Sequence, residues 1–284
     1  MGARYHTPME VVSDINALAT LVAAHPKLFV LTGAGCSTGS GIPDYRNDDA
    51  EWKRDPPMEL KQFLGSAAAR QRYWARSFVG WPSFADARPG PAHRALMGLA
   101  SLGHVHRLVT QNVDGLHSRA GSNAVIDLHG RNDRVRCIEC GATSERKQLQ
   151  RALWQHNPGF RSLTGRAAPD GDADLENVDT TLFRVPACLE CGGVLRPDVV
   201  FFGDGVPRAR VEAAYAALES ADALLAVGTS LMVYSGFRFC RRAAELDMPI
   251  AIVNRGRTRA DPLAELKITG DCGTVLEQLV RALA

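Results

Sequence analysis

Two Cys-x2-Cys pairs, Cys137/Cys140 and Cys188/Cys191, are the most specific chemical signal in the sequence. Four thiolates from two such knuckles suit a closed, tetrahedral Zn2+ site. Each knuckle runs into glycine (Gly141; Gly192–Gly193), which lets the backbone turn tightly around a metal. With every corner a protein sulfur, no position is left for water, so the metal holds structure and performs no chemistry. Two redox dithiols are the competing reading. Paired knuckles in a chain with an odd total of seven Cys fit a metal in a reducing compartment better. The remaining Cys36, Cys240 and Cys272 read as small buried hydrophobes.

A second signal is the turn Gly33-Ala34-Gly35-Cys36-Ser37, which follows the apolar run Leu28–Leu31. Glycines there let the backbone approach a pyrophosphate lying at a helix N-terminus. The full G-x-G-x-x-G pattern is missing, and alone the turn is weak evidence. It continues through Thr38 to Asp44-Tyr45-Arg46. Three more polar loops follow apolar runs: Gln111-Asn112-Val113-Asp114, Gly228-Thr229-Ser230 and Asn254-Arg255-Gly256. Open α/β sheets bind ligands in the crevice at the carboxyl ends of their strands, so four such loops point to a nucleotide site.

Candidate groups for catalysis are few. No Gly-x-Ser-x-Gly elbow is present, and the zinc site is closed. His129, one of eight histidines, sits between the Gln111–Asp114 loop and the first Cys pair and is followed by Gly130. A reference pKa near ~6.5 suits such a group to general-base work. Tyr73 and Arg76 lie three positions apart in a helical segment and would share a face. Facing a pocket, the pair would favour acyl groups that end in a carboxylate, because Arg pairs well with carboxylates. A core Tyr beside a solvated Arg is the bland reading of the same two residues.

The elements that must position these groups alternate. Leu28–Leu31, His106–Thr110, Ala223–Val227 and Pro249–Val253 read as buried strands, and 9–24, 208–220, 235–246 and 272–283 as helices. That order implies βαβ units and a parallel sheet. Helices are also expected around 58–63, 67–79 and 92–101. The fold class is therefore α/β, a Rossmann-like parallel sheet with a smaller zinc-binding plus helical domain. Residues 1–46, 103–135 and 197–284 are assigned to the nucleotide-binding domain, 47–102 to the helical part of the small domain, and 136–196 to the zinc module. Within that module the acidic stretch PDGDADLENVD reads as a solvated loop, although Ala168–Leu175 could reach a channel.

Bulk properties bound the partners. The chain has 284 residues, 45% hydrophobic and 23% charged, ordinary for a globular protein with a sizeable core. A net charge of +2 does not argue for nucleic acid as a partner. No apolar run approaches the ~20 residues that cross a bilayer, so no membrane role is expected. The N-terminus, with Glu10 and Asp14, lacks a signal-peptide core, and His6 stands where a myristoylation signal needs Ser or Thr. A cytoplasmic monomer is expected.

Taken in order, GAGCSTGSGIPDYR, TQNVDGLH, His129-Gly130, the two Cys pairs, GTSL and VNRG resemble the sirtuin family over about residues 28–276. RQRYWARSFVGWPSF, APDGD, PDVVFFGD and SLMVYSGFRF resemble its class II branch. The resemblance implies an NAD+-dependent protein-lysine deacylase acting on larger or acidic acyl groups. Protein ADP-ribosyl transfer from the same site is the alternative. By resemblance, Gly33, Ala34, Gly35, Ser37 and Thr38 hold the phosphates, and Asp44, Tyr45 and Arg46 belong to a loop that closes over the cofactor. Gln111, Asn112, Val113 and Asp114 surround the nicotinamide half of NAD+. Gly228, Thr229, Ser230, Asn254, Arg255, Gly256 and Cys272 surround the adenosine half. The implied mechanism has the acyl oxygen attack C1′ of the nicotinamide ribose, after which His129 takes a proton from a ribose hydroxyl. Asn112 and Asp114 assist by orienting ribose and carboxamide. Phe202, Gly203 and Val233 would flank an acylated lysine of a protein substrate as added β-strand pairing.

Overall fold

A computed structural model describes residues 15–175 and 178–284. The start of the helix expected over 9–24, the N-terminal sorting features and two residues of the acidic stretch (176–177) lie outside the described residues. From the N-terminus come α1 (Ile15–Ala24), β1 (Leu28–Thr32) and a 3-10 turn (Ala34–Ser40). Three helices follow, α2 (Leu60–Gly65), α3 (Ala67–Asp86) and α4 (Pro91–Ser101), and then β2 (Val105–Thr110), α5 (Leu116–Arg119) and β3 (Ile126–Asp127). The middle of the chain forms β4 (Gly130–Cys137), β5 (Thr143–Glu145), α6 (Arg146–His156), β6 (Arg166–Ala167), β7 (Ala173–Asp174) and β8 (Leu195–Val199). The last third is α7 (Arg208–Glu219), β9 (Ala223–Val227), α8 (Tyr234–Glu245), β10 (Ile250–Val253), β11 (Leu266–Ile268) and α9 (Cys272–Leu283).

Six strands make one parallel sheet in the order β11-β10-β9-β1-β2-β3. Its central strands β1, β9 and β10 are almost wholly apolar because both faces are covered. In β1, Leu28 and Val30 pack with α1, α4 and α9, whereas Phe29 and Leu31 pack with α7 and α8. Strand order reverses between β1 and β9, where Thr32 pairs with Val227. A crevice opens at such a switch point, outside the carboxyl ends of the strands.

The smaller lobe is built on the antiparallel sheet β5-β4-β8. Phe63, Tyr73, Trp74 and Phe78 from α2 and α3 pack there against Leu149 and Leu153 of α6 and against Phe183 and Phe201. Arg146 is fully buried, with its guanidinium over the rings of Trp74 and Trp81. Burial pushes its pKa down to about 10, which still leaves it charged at neutral pH.

Two expectations change. Helix α3 does not stop near residue 79 but continues through Pro82 to Asp86. The acidic stretch is not a solvated loop where it is described. Ala168, Asp172 and Ala173 are buried, and Asp174 pairs with Arg54 and Arg76, both at 3.1 Å. Gly80 makes room for it, since a Cβ there would lie 2.2 Å from the Asp172 carbonyl carbon. Cations and a notch on α3 and its neighbours draw the acidic segment inward.

Candidate active site

The loops after β1, β2, β9 and β10 meet around a cleft of about 380 Å³ that extends into the smaller lobe. Its tightest part is the contact between the first and third loops. Gly33 N–H donates to the Val227 carbonyl at 3.1 Å and Gly35 N–H to the Gly228 carbonyl at 2.8 Å. A Cβ on Gly33 would lie 2.6 Å from Thr229 Cβ, and one on Gly35 would lie 2.9 Å from Gly228 Cα. Gly228 itself has a φ of 58°, so glycine is required there on backbone grounds as well. Gly33 caps the 3-10 turn without a side chain. The start of that turn, through Gly33, Ala34 and Gly35, therefore faces the cleft and offers a place for an anion.

Ser37 joins the first loop to the second. Its hydroxyl donates to Asp114 at 2.6 Å and accepts from Asn112 Nδ2 at 3.1 Å. Asn112 Nδ2 also reaches the Gly33 carbonyl, at 3.0 Å. The other Asp114 oxygen accepts from the Leu116 N–H at 2.8 Å. Gln111 Nε2 donates to Thr229 Oγ1 at 3.0 Å and to the Thr32 carbonyl at 3.2 Å. Thr38 Oγ1 turns inward to the Gly35 carbonyl, at 2.9 Å.

The fourth loop is held by α9. Arg255 pairs with Asp271 at 2.8 Å, and Asp271 caps α9 through the Thr274 N–H. Cys272 Sγ donates to the Gly35 carbonyl at 3.2 Å. The segment after Arg46 folds across the mouth. Arg46 lies 3.9 Å over the Trp52 ring, and Tyr45, Trp52 and Phe202 form an edge-packed cluster. The Arg257 N–H holds the Asp48 carbonyl at 2.7 Å, and Gly256 leaves space for that approach.

His129 sits where the two lobes meet. Its Nδ1 lies 2.9 Å from the Gln111 carbonyl and its Nε2 2.7 Å from Ser235 Oγ. A carbonyl only accepts, so Nδ1 carries the hydrogen and Nε2 the lone pair. Burial pushes its pKa down to about 4. The bond to Gln111 works against that, and Arg210 and Arg238 add to it. The imidazole is therefore neutral at neutral pH and able to accept a proton.

Every residue of the four loops to which a cofactor contact was assigned borders the cleft, as do Tyr73, His129, Phe202 and Val233, whereas Cys36 is buried in the core. Two expected substrate contacts do not. Arg76 reaches Asp174 at 3.1 Å and Asp172 at 4.0 Å, because the acidic insert lies beside it. Gly203 packs towards Glu59 and is displaced from the cleft by the turn after β8. The Phe202 carbonyl accepts from the Leu60 N–H at 3.0 Å, so that edge is partly paired already. Pro169 and Asp170 of the segment expected to reach a channel do line the cleft, whereas sequence reading missed Trp52 and Asp271, which also line it, and the contact of Ser235 with His129. The Asp-Cys start of α9 is a capping signal that could have indicated Asp271.

The sulfurs of Cys137, Cys140, Cys188 and Cys191 all lie within 4.8 Å of one another. Separations of 3.5 Å (Cys137–Cys191) and 3.8 Å (Cys140–Cys188) match sulfurs sharing one ion at about 2.3 Å. The donor set therefore fits Zn2+ in a structural role.

Comparison with known proteins agrees with this geometry. A model of the Sir2 family matches residues 33–235. An NAD-dependent protein deacetylase of Bordetella bronchiseptica is 55% identical over 95% of this chain and 98% of its own. The NAD-dependent protein deacylase Sirt4 of Drosophila melanogaster is 42% identical over 97% of this chain and 89% of its own. A solved complex of a Sir2 protein with a p53 peptide and NAD+ superposes with a TM-score of 0.77, at 26% identity over 94% and 98% of the two chains.

Proposed function

The chain belongs to the Sir2 family, and from that premise we propose that it removes acyl groups from protein lysines at the expense of NAD+. The observation that carries this reading is the meeting of the phosphate turn, the Gln111–Asp114 loop and a neutral His129 in one cleft. When bound, NAD+ supplies a nicotinamide–ribose bond that an amide oxygen can break.

The chain's own groups do the rest. The turn at Gly33–Gly35 takes the pyrophosphate at an uncapped N-terminus. Ser37 and Asn112, already bonded to each other, hold the adjacent ribose in register. Asp114 is kept in place by Ser37 and the Leu116 N–H and can receive the carboxamide. Tyr45, Trp52 and Phe202 exclude water over the reacting carbon. His129, fixed in one tautomer by Gln111, accepts the proton of a ribose hydroxyl at Nε2.

Likeness to Sirt4 supports placing the chain in the class II branch and favours acyl groups larger than acetyl. Tyr73, Val199 and Phe201 line the inner cleft and suit an apolar acyl chain. Acidic groups are less well supported, because Arg76 is already paired by Asp174.

His129→Ala tests the base. The variant should fold and bind NAD+ but lose about 10²–10⁴-fold in deacylation, the usual worth of a positioned base. Full activity would remove His129 from the reaction.

A further inference from the structure

The contact between His129 and Ser235 leaves the basic nitrogen covered. Nδ1 is a donor to Gln111, so the single lone pair of the ring is at Nε2, and the hydroxyl 2.7 Å away must donate into it. Two glycines permit this approach. Gly236, in the first turn of α8, lies so close to Gln111 that a Cβ would be 2.4 Å from its Oε1. Gly130 has a φ of 81°, and a Cβ there would lie 2.2 Å from the Asp198 carbonyl oxygen. A side chain at either position would push α8 or β4 away and part the pair.

We propose that Ser235 is a positioning residue that fixes the His129 ring through Nε2 and yields its place to the substrate hydroxyl. The proposal rests on the reading of His129 as the base. Nε2 has one lone pair, so Ser235 and a ribose hydroxyl cannot both donate to it. During turnover the Ser235 hydroxyl rotates off with its own proton, and the ribose hydroxyl donates in its place. The proton then passes from ribose oxygen to Nε2, leaving an alkoxide and an imidazolium.

A bond from Ser235 to the neutral ring opposes protonation. The other groups facing the imidazole are the Gln111 carbonyl, which favours the charged form, and Arg210 of α7 and Arg238 of α8, which disfavour it. Removing the hydroxyl leaves those three in place. The His129 midpoint should therefore rise in Ser235→Ala.

The test is 15N-histidine NMR on the full chain from pH 7 to pH 4, with circular dichroism reporting the fold, beside pH profiles of kcat/KM for an acyl-lysine peptide. Ser235→Ala should keep the Nδ1–H tautomer and raise the midpoint from about 4 by roughly half to one pH unit. The acid limb of kcat/KM should move with it. Ser235→Thr, which keeps a hydroxyl, should restore both. An unmoved or lowered midpoint in Ser235→Ala, or no rescue by threonine, overturns the proposal. A midpoint that moves without the rate profile overturns the base assignment itself, and with it the role given to Ser235.

Discussion

The Ser37 hydroxyl donates to Asp114 at 2.6 Å, and this bond ties the turn after β1 to the loop after β2, the segments proposed to hold the phosphates and the nicotinamide. Through Asn112 the same hydroxyl also reaches the Gly33 carbonyl's neighbour set, so one side chain registers both halves of the cleft. A hydrogen bond to a charged partner is worth about 1.5–3 kcal/mol. Ser37→Ala should therefore raise the KM for NAD+ by roughly ten- to a hundredfold, and because the lost bonds lie within the fold it should lower Tm as well. Initial-rate kinetics with NAD+ as the varied substrate checks this, and an unchanged KM would remove Ser37 from cofactor binding.

Zinc should be structural and close to one ion per chain. Chelation, or Cys140→Ala, should lower Tm by more than about 10 °C, because metal binding here is folding free energy of the smaller lobe. Elemental analysis with thermal unfolding tests it. Loss of metal with no loss of stability would contradict a structural role.

The acyl end should prefer neutral chains. Arg76 is paired with Asp174 at 3.1 Å, so a carboxylate on the acyl group must compete with an existing ion pair. Hexanoyl-lysine peptide should be turned over faster than the glutaryl peptide. Asp174→Asn should narrow the ratio severalfold by weakening the hold on Arg76. A faster glutaryl reaction in the unaltered protein would show that Arg76 leaves Asp174 for substrate.

Two buried histidines should make the fold lose stability in acid. Burial pushes His117 down to about 3 and His129 to about 4, both from 6.5. Below 6.5 the unfolded chain binds protons at these two histidines that the folded one refuses, so their contribution to stability falls as pH drops, whereas Asp127, whose carboxyl burial raises to about 6, acts in the opposite sense below that pH. Each histidine contributes a slope of about 1.4 kcal/mol per pH unit between 6.5 and its folded value. Urea unfolding at pH 7, 6 and 5 measures the slope. His117→Gln should remove one such contribution, although losing the bond to Thr32 Oγ1 (2.9 Å) lowers stability at every pH.

Much of this was legible from residues alone. Strands β1, β9 and β10 announced themselves because both faces are buried and the runs are almost wholly apolar, and β2 did so through its buried end Leu108–Thr110. The four polar loops and the Cys pairs had local spacing to read. Other features depended on contacts between distant segments. Helix α6 carries Arg146 at a buried position, where the Trp74 and Trp81 rings and the Ser77 oxygens receive it. The short strands β3 and β11 are too brief to give a periodic signal. Arg76 shares a face with Tyr73 as its spacing implied, but an acidic segment about a hundred residues later claims it. No local spacing marks Ser235, which meets His129 through the close approach that Gly130 and Gly236 allow between distant segments.

The most direct measurement is product stoichiometry in one reaction of NAD+ with an acyl-lysine peptide, followed by mass spectrometry. A deacylase that consumes NAD+ yields nicotinamide, free lysine peptide and acyl-ADP-ribose in equal amounts, and none of the three without NAD+. Lysine released without nicotinamide, or nicotinamide released with ADP-ribose attached to protein and the acyl group intact, would contradict it.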